Sequence, residues 1–241
     1  MVILFTDFGA QGPYLGQMEM VIRHVLPVEP VINLLADAPR FDVRASAYLL
    51  AALAPTIPRP AVVVAVVDPG VGGDRRAVVV EADGLLLVGP DNGLFEPIIR
   101  RSTLSRAWEI TWRPQHLSSS FHGRDLFAPV AARLAAGLSP EEAGCEPIAV
   151  PRRPDWPDHL AEIIYFDHYG NAWTGLPASL MEGRDTLFAA GQSLRRANTF
   201  SEVPSGTAFW YENSSHMVEI AVNGGRAADL PGLAIGCSVT N

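Results

Sequence analysis

The run "AVVVAVV" at residues 61 to 67 constrains the fold more than any other stretch. Apolar residues, most of them β-branched, at seven consecutive positions leave no polar face. The segment therefore reads as a strand buried on both sides, as in a sheet with helices packed over it. The run stops at "DPGVGGDRR", residues 68 to 76, which sets the carboxylate of Asp68 seven positions ahead of the guanidinium of Arg75 across a loop with Gly70, Gly72 and Gly73. In α/β sheets, ligands bind beyond the carboxyl ends of strands, so an acid at that point is a candidate for chemistry.

The rest of the first 150 residues alternates strand and helix patterns, the signature of α/β layers. "VILFT" (2 to 6) and "VINLL" (31 to 35) read as strands, while "YLGQMEMVIRHVL" has helical spacing until Pro27 and "DVRASAYLLAALA" until the proline-rich "PTIPRP". Asp83 and Gly84 supply a two-residue hairpin signal inside "AVVVEADGLLLVGPDNG", and Asn92 is expected to cap a short helix in "GLFEPIIRR". A further amphipathic helix, "GRDLFAPVAARLAAG", is expected to end at Gly137. "PRRPDWPDH", residues 151 to 159, reads as a linker. Beyond it, short alternating runs such as "AEIIYFDHYGNAW", "TAFWYEN" and "MVEIAVN" are separated by turn residues. The expected architecture is an α/β layered domain over 1–150 with a mostly parallel central sheet, a linker over 151–159, and a smaller antiparallel β domain over 160–241.

Composition removes several functions. A net charge of −8 and the lack of an arginine-rich stripe argue against nucleic acid as a partner. All 18 basic residues are arginine, so lysine Schiff bases, lysine nucleophiles and phosphate-loop lysines are excluded. Two widely spaced cysteines, Cys145 and Cys237, indicate neither a disulfide framework nor a thiolate metal site and fit a reducing cytoplasm. "MVILFTDFG" lacks a basic start and meets Asp7 early, so no signal peptide is expected, and no apolar run reaches membrane-spanning length.

Two acids follow buried strands. Asp7, after VILFT, is either a turn or capping residue or a carboxylate that accepts hydrogen bonds from a diol such as a ribose. Asp68 and Arg75 form either a structural ion pair closing a loop or part of a site. His122, in "SSSFHGRD", stands ahead of a helix; His116 and His122 lack the carboxylate and thiol company of a metal centre, so no metal or other cofactor is expected. In the C-terminal half, "FDHYGNAWTG" suits β-turns, yet Asn171 beside Trp173 also suits a purine, with an amide for its edge and an indole for its face.

In order along the chain, "TDFG", "DPGVGGDRR", "GPDNGLF", "FHGRDLFAP", "FDHYGNAWT" and "NSSHMVEIAVN" resemble the adenosine-forming S-adenosyl-L-methionine hydrolases, also called S-adenosylmethionine hydroxide adenosyltransferases. These are related to the fluorinase and chlorinase enzymes. The resemblance implies an Asp, Arg and His acting on water, at Asp68, Arg75 and His122 here. It also implies that Asp7 holds the ribose hydroxyls and Asn171 the adenine. Ser214 and Glu219 would make further polar contacts, Val222 a backbone contact to the base, and Asp167 a contact to the methionine ammonium group, although "DHYGN" is one residue shorter than the halogenase stretch. It further implies a homotrimer with substrate sites between subunits. The halogenating branch carries Tyr and Thr where this chain has Asp68 and Val71, so hydrolysis is the nearer expectation. A halide-dependent synthase and a non-catalytic binder of S-adenosylmethionine or adenosine are the alternatives.

Overall fold

"AVVVAVV" forms an interior strand of a seven-stranded sheet in the computed structural model, which describes residues 1–240. In chain order the elements around it are β1 (Val2–Thr6), α1 (Tyr14–Val25), β2 (Val31–Leu35), α2 (Val43–Leu53), β3 (Ala61–Val66), β4 (Ala77–Ala82), β5 (Leu85–Pro90), α3 (Glu96–Arg101), β6 (Ser105–Ile110), α4 (Ala128–Ala135) and β7 (Cys145–Ile148). The strand order is β2-β1-β3-β5-β4-β6-β7. Val62, Val64 and Val66 join Val2 and Leu4 in one apolar cluster with Met18 and Ile22 of α1 and Val130 and Leu134 of α4. Val63 and Ala65, of opposite parity, are buried as well. Both faces of β3 are thus covered, and each buried valine or leucine contributes roughly 1.5–3 kcal/mol relative to exposure.

The sheet is mixed, which corrects the expectation of a mostly parallel one. The pairings β2–β1, β1–β3 and β3–β5 are parallel; β5–β4, β4–β6 and β6–β7 are antiparallel. The reason is the Asp83–Gly84 hairpin, where both residues take positive φ, turning the chain straight back and adding strands of opposite sense on that side. A second correction concerns Asn92. Its side chain accepts from the Leu94 amide (3.2 Å) in a turn, while α3 starts later, behind Phe95, with Pro97 in its first turn. The helix expected from Gly123 opens with a π-helical turn over Gly123–Phe127 before α4 proper. Pro129 has no N–H for the Asp125 carbonyl, which favours the wider turn. Gly137 ends it with φ 97°.

Two compact units are present: Met1–Leu50 with Ala54–Pro154, and Ala51–Leu53 with the chain from Asp155 onward. The second unit contains β8 (Leu160–Phe166), β9 (Ala172–Pro177), β10 (Thr186–Ala189), β11 (Gln192–Arg196), β12 (Ala208–Glu212), β13 (Met217–Val222) and β14 (Val239–Thr240). Its sheet runs β14-β10-β11-β12-β13-β9-β8. The pairings are antiparallel except β11–β12, which is parallel and modifies the all-antiparallel expectation. The edges meet: the Ile163 amide donates to the Cys237 carbonyl and the Gly236 amide to the Ile163 carbonyl, each at 2.8 Å. Closure removes the exposed edges and encloses Ile163, Leu187, Trp210 and Ile220.

Candidate active site

The parallel pairing of β1 with β3 sets Thr6 beside Val66, so the chain leaves both strands side by side and delivers Asp7 and Asp68 to the same end of the sheet. From Asp68 the loop makes two tight turns, with the Val71 amide donating to the Asp68 carbonyl (3.2 Å) and the Gly73 amide to the Gly70 carbonyl (3.0 Å). Gly72 lies in the second turn with φ 78°, and a Cβ there would stand 2.3 Å from the Ser119 carbonyl oxygen. Only glycine permits this backbone-to-backbone contact with the segment that leads to His122. Loop 68–76 and loop 118–122 are thereby seated on each other.

The contact brings three side chains together. Arg75 Nε donates to Asp68 Oδ1 (3.1 Å) and Oδ2 (2.9 Å), and its Nη2 reaches both Asp68 Oδ2 (2.5 Å) and His122 Nδ1 (2.9 Å). The pair is largely dry, with side chains 12% exposed for Arg75 and 4% for Asp68. Arg75 also lies over the Phe127 ring at 5.3 Å. Asp125 fixes the approach to His122 by accepting from the Ser118 amide at 2.9 Å. Asp7, Asp68 and His122 all line one cleft of about 350 Å³, together with Phe8, Tyr14 and Phe121. That volume is within the range of small-molecule sites.

Burial, then the adjacent Arg75 charge, pushes the His122 pKa below its ordinary value. An arginine N–H can only donate, so His122 Nδ1 accepts and the neutral ring carries its proton on Nε2. Asp7 moves the opposite way: burial raises its pKa, with a smaller contribution from Asp68, against the bond that its Oδ2 accepts from the Phe41 amide (3.1 Å). Phe41 holds that amide in place with φ 59°.

The second unit has its own cleft, about 600 Å³ in volume. Strand register builds it, because Tyr165 pairs with Trp173, Trp173 with Glu219, and Glu219 with Tyr211 across four neighbouring strands. Glu219 is 2% exposed, accepting from Tyr211 Oη (2.5 Å) and Asn213 Nδ2 (2.8 Å) and from the Asn171 side chain. Burial raises the Glu219 pKa, and burial together with the Glu219 bond raises that of Tyr211. Asp167 accepts from the Asn171 amide (2.8 Å) and from its Nδ2 (3.1 Å). The Trp173 indole N–H is buried with no hydrogen-bond partner among the described residues.

Every site residue named from the sequence therefore lies at one of two clefts or, for Arg75, against residues lining one. Asp7, Asp68, Arg75 and His122 gather in the first unit; Asp167, Asn171, Trp173, Ser214, Glu219 and Val222 line the second. His116 is exposed and does not line the first cleft. Among the described residues, no group of three or more His, Cys, Asp or Glu side chains is placed to hold a metal ion, and no helix is long and apolar enough to cross a membrane. Sequence reasoning missed Arg40 and Phe41 in the first cleft and Phe200, Tyr211 and Asn213 in the second. Phe41 gave a usable signal, being an aromatic next to the helix-capping Asp42, whose side chain accepts from the Ala45 amide.

Comparison with known proteins matches these two groups of residues to two known domains. Residues 2–144 match the SAM hydroxide adenosyltransferase N-terminal domain, and residues 161–240 its C-terminal domain. The chain belongs to the SAM hydroxide adenosyltransferase family. Curated relatives named (R)-S-adenosyl-L-methionine hydrolase include one from Salinispora arenicola, 40% identical over 93% of this chain and 91% of the relative. Another, from Thermus thermophilus, is 37% identical over 99% of this chain and 98% of the relative. Among solved structures, an uncharacterized conserved protein from Thermotoga maritima superposes with a TM-score of 0.91 at 28% identity, covering 99% of both chains. That protein shares this fold over its whole length, and the quoted motifs fall within the two matched domains.

Proposed function

We propose that this chain hydrolyses S-adenosyl-L-methionine to adenosine and L-methionine by attack of water on the ribose C5′. The observation that carries the reading is the Arg75 guanidinium bonded at once to Asp68 and His122, beside a cleft that also holds Asp7. Family membership supports it, and the curated relatives' names point to the R epimer at the sulfonium as the form consumed.

The electron pair of the C5′–S bond goes to sulfur, turning a sulfonium into a neutral thioether, so the leaving group needs no acid. Water supplies the new C5′–O bond. One of its protons stays on the adenosine 5′-hydroxyl and the other leaves. His122 has no lone pair to offer while Nδ1 faces Arg75 and Nε2 carries its proton, so it acts as a hydrogen-bond donor that orients the water. Asp68 takes the departing proton, with Arg75 holding its carboxylate in place. A carboxylate suffices as base because water becomes strongly acidic as its oxygen bonds to carbon. Seclusion in a dry, aligned site supplies the rest.

Recognition falls to the remaining residues. Asp7 accepts from the ribose hydroxyls. Asn171, its Nδ2 engaged by Asp167, presents Oδ1 to the exocyclic amino group of adenine. Trp173 covers the base, while Ser214, Glu219 and the Val222 backbone complete the cleft. Asp167 both fixes Asn171 and faces the methionine ammonium group. A homotrimer in which one copy's first unit and its neighbour's second unit share the substrate is the assembly we propose, on family resemblance, and both cysteines being free fits a cytoplasmic setting.

Reaction in ¹⁸O-labelled water tests the mechanism. The label is expected on the adenosine 5′-oxygen, with the R epimer consumed and the S epimer left. Intact substrate would leave a binding protein, and a 5′-halo-5′-deoxyadenosine product in high chloride would establish halide use, which the Asp68 carboxylate at the cleft disfavours by repulsion.

A further inference from the structure

The strand order β3-β5-β4 has a consequence for the loop that carries Asp68 and Arg75. A chain leaving β3 and entering β4 must cross the carboxyl end of β5, so the segment after β5 lies at both feet of that loop. This segment begins with Asp91 and Asn92. Asn92 Nδ2 donates to the Val67 carbonyl (2.8 Å), the residue directly before Asp68. Asp91 holds Arg76, the residue directly after Arg75, by its main-chain amide to the Arg76 carbonyl (3.0 Å) and by its Oδ2 to Arg76 Nε (3.0 Å) and Nη2 (2.7 Å). Two consecutive residues thus grip the two ends of one loop.

From the other side Asp91 is steadied by Arg153, whose Nη2 reaches its carbonyl at 3.3 Å and its Oδ1 at 3.4 Å. Val67 is fully buried and lies past the last paired residues of β3 and β5, Val64 and Val88, so its carbonyl depends on a side chain for a partner. A fixed separation between Val67 and Arg76 sets how Asp68 and Arg75 meet, and with them the point at which water is held. We infer that Asp91 and Asn92 are positioning residues for the Asp68–Arg75 pair, acting through the two ends of the loop without touching substrate. This rests on the proposed hydrolysis for its kinetic consequence, though not for its structural one.

The test uses the full-length protein with Asn92→Asp, Asp91→Ala and Asp91→Asn. Asn92→Asp keeps size and the acceptor for the Leu94 amide but removes the donor to Val67. The expected result for Asn92→Asp and Asp91→Ala is a kcat lowered about tenfold to a hundredfold with KM within about twofold of wild type. Asp91→Asn, which retains an acceptor for Arg76, is expected to recover most of the loss. Hydrogen exchange should quicken at amides 68–76 and stay unchanged in the second unit. An unaltered kcat, or a loss confined to KM, would overturn the inference. If the wild type releases no adenosine, the hydrolase reading fails, and exchange at 68–76 alone decides: faster exchange sustains the positioning role, and unchanged exchange ends it.

Discussion

The two clefts solve opposite electrostatic problems. In the first unit two full charges meet, the Asp68 carboxylate and the Arg75 guanidinium, beside a histidine whose pKa is lowered by burial and by that guanidinium. In the second, a buried carboxylate, Glu219, is surrounded by neutral donors from Tyr211, Asn213 and Asn171. The first arrangement can shift a proton and stabilise a developing charge. The second offers fixed donors and acceptors around an indole, which suits reading a base. Their construction differs too, since the first is assembled from loop ends brought together by Gly72 against Ser119, and the second from one row across paired strands. Catalysis should therefore fail by kcat when the Asp68–Arg75–His122 cluster is damaged and by KM when the second cleft is.

The sharpest way to break that division is Arg75→Ala. It leaves Asp68 buried without its cation and His122 without its donor, and kcat is expected to fall about 10²–10⁴-fold, measured as adenosine released under saturating substrate. A loss expressed mainly in KM would move Arg75 to the recognition side. Next in size is an effect of pH. Because the His122 pKa is depressed, its protonation sets in only below the ordinary 6.5, and then an Nδ1–H faces the guanidinium. Wild-type kcat is expected to be flat through neutrality and to fall on the acid side, while His122→Asn, which keeps an acceptor for Arg75 and cannot titrate, loses that acid limb. Stability carries the same sign: the unfolded chain binds the His122 proton more readily, so folding is favoured as pH rises through the window below 6.5.

How much of this was legible in the residues depends on how local each signal is. β3 and its terminal acid could be read because seven apolar residues and a break are adjacent in sequence. The Asp83–Gly84 hairpin was legible for the same reason, yet its effect on the sheet was not, because β6 and β7 join through pairings that no local pattern encodes. In the site, Asp68, Arg75 and His122 could be named from motifs and the family they resemble. The tautomer of His122 could not, since it is decided by a contact 47 positions away in sequence. Asn92 looked like a helix cap because Asn before an apolar run usually is; its bond to Val67 depends on strand order alone. Tyr211 and Asn213 escaped notice because their partner, Glu219, lies across a hairpin whose register fixes the pairing.

Tyr211→Phe probes the second cleft. Removing one donor from a carboxylate 2% exposed is expected to cost about 1–3 kcal/mol of stability and to raise KM several-fold with kcat nearly kept. The Glu219 pKa is already raised by burial, and loss of a donor raises it further, so the mutant protein binds that proton over a wider range than the unfolded chain does. Its deficit in Tm should accordingly be larger at neutral than at acid pH. A deficit independent of pH would mean that Glu219 is protonated throughout and that the second cleft reads its ligand with a neutral acid.

The smallest expected effect is the most discriminating for Asp7, for which a turn role and a ligand role were both open. Its folded pKa is raised above the unfolded value of 3.8, so its favourable state is the protonated one, and stability is lost as pH rises through the folded pKa. At neutral pH the ionised carboxylate therefore burdens the folded protein. Asp7→Asn removes the charge and keeps an oxygen for the Phe41 amide, so Tm at neutral pH is expected to rise on the order of 1 °C. The same change leaves one acceptor oxygen where a diol needs two, and KM should rise. A gain in stability with a loss of affinity is what a carboxylate kept for its ligand produces. A fall in Tm with KM unchanged would return Asp7 to the turn and leave the ribose to other residues of the first cleft.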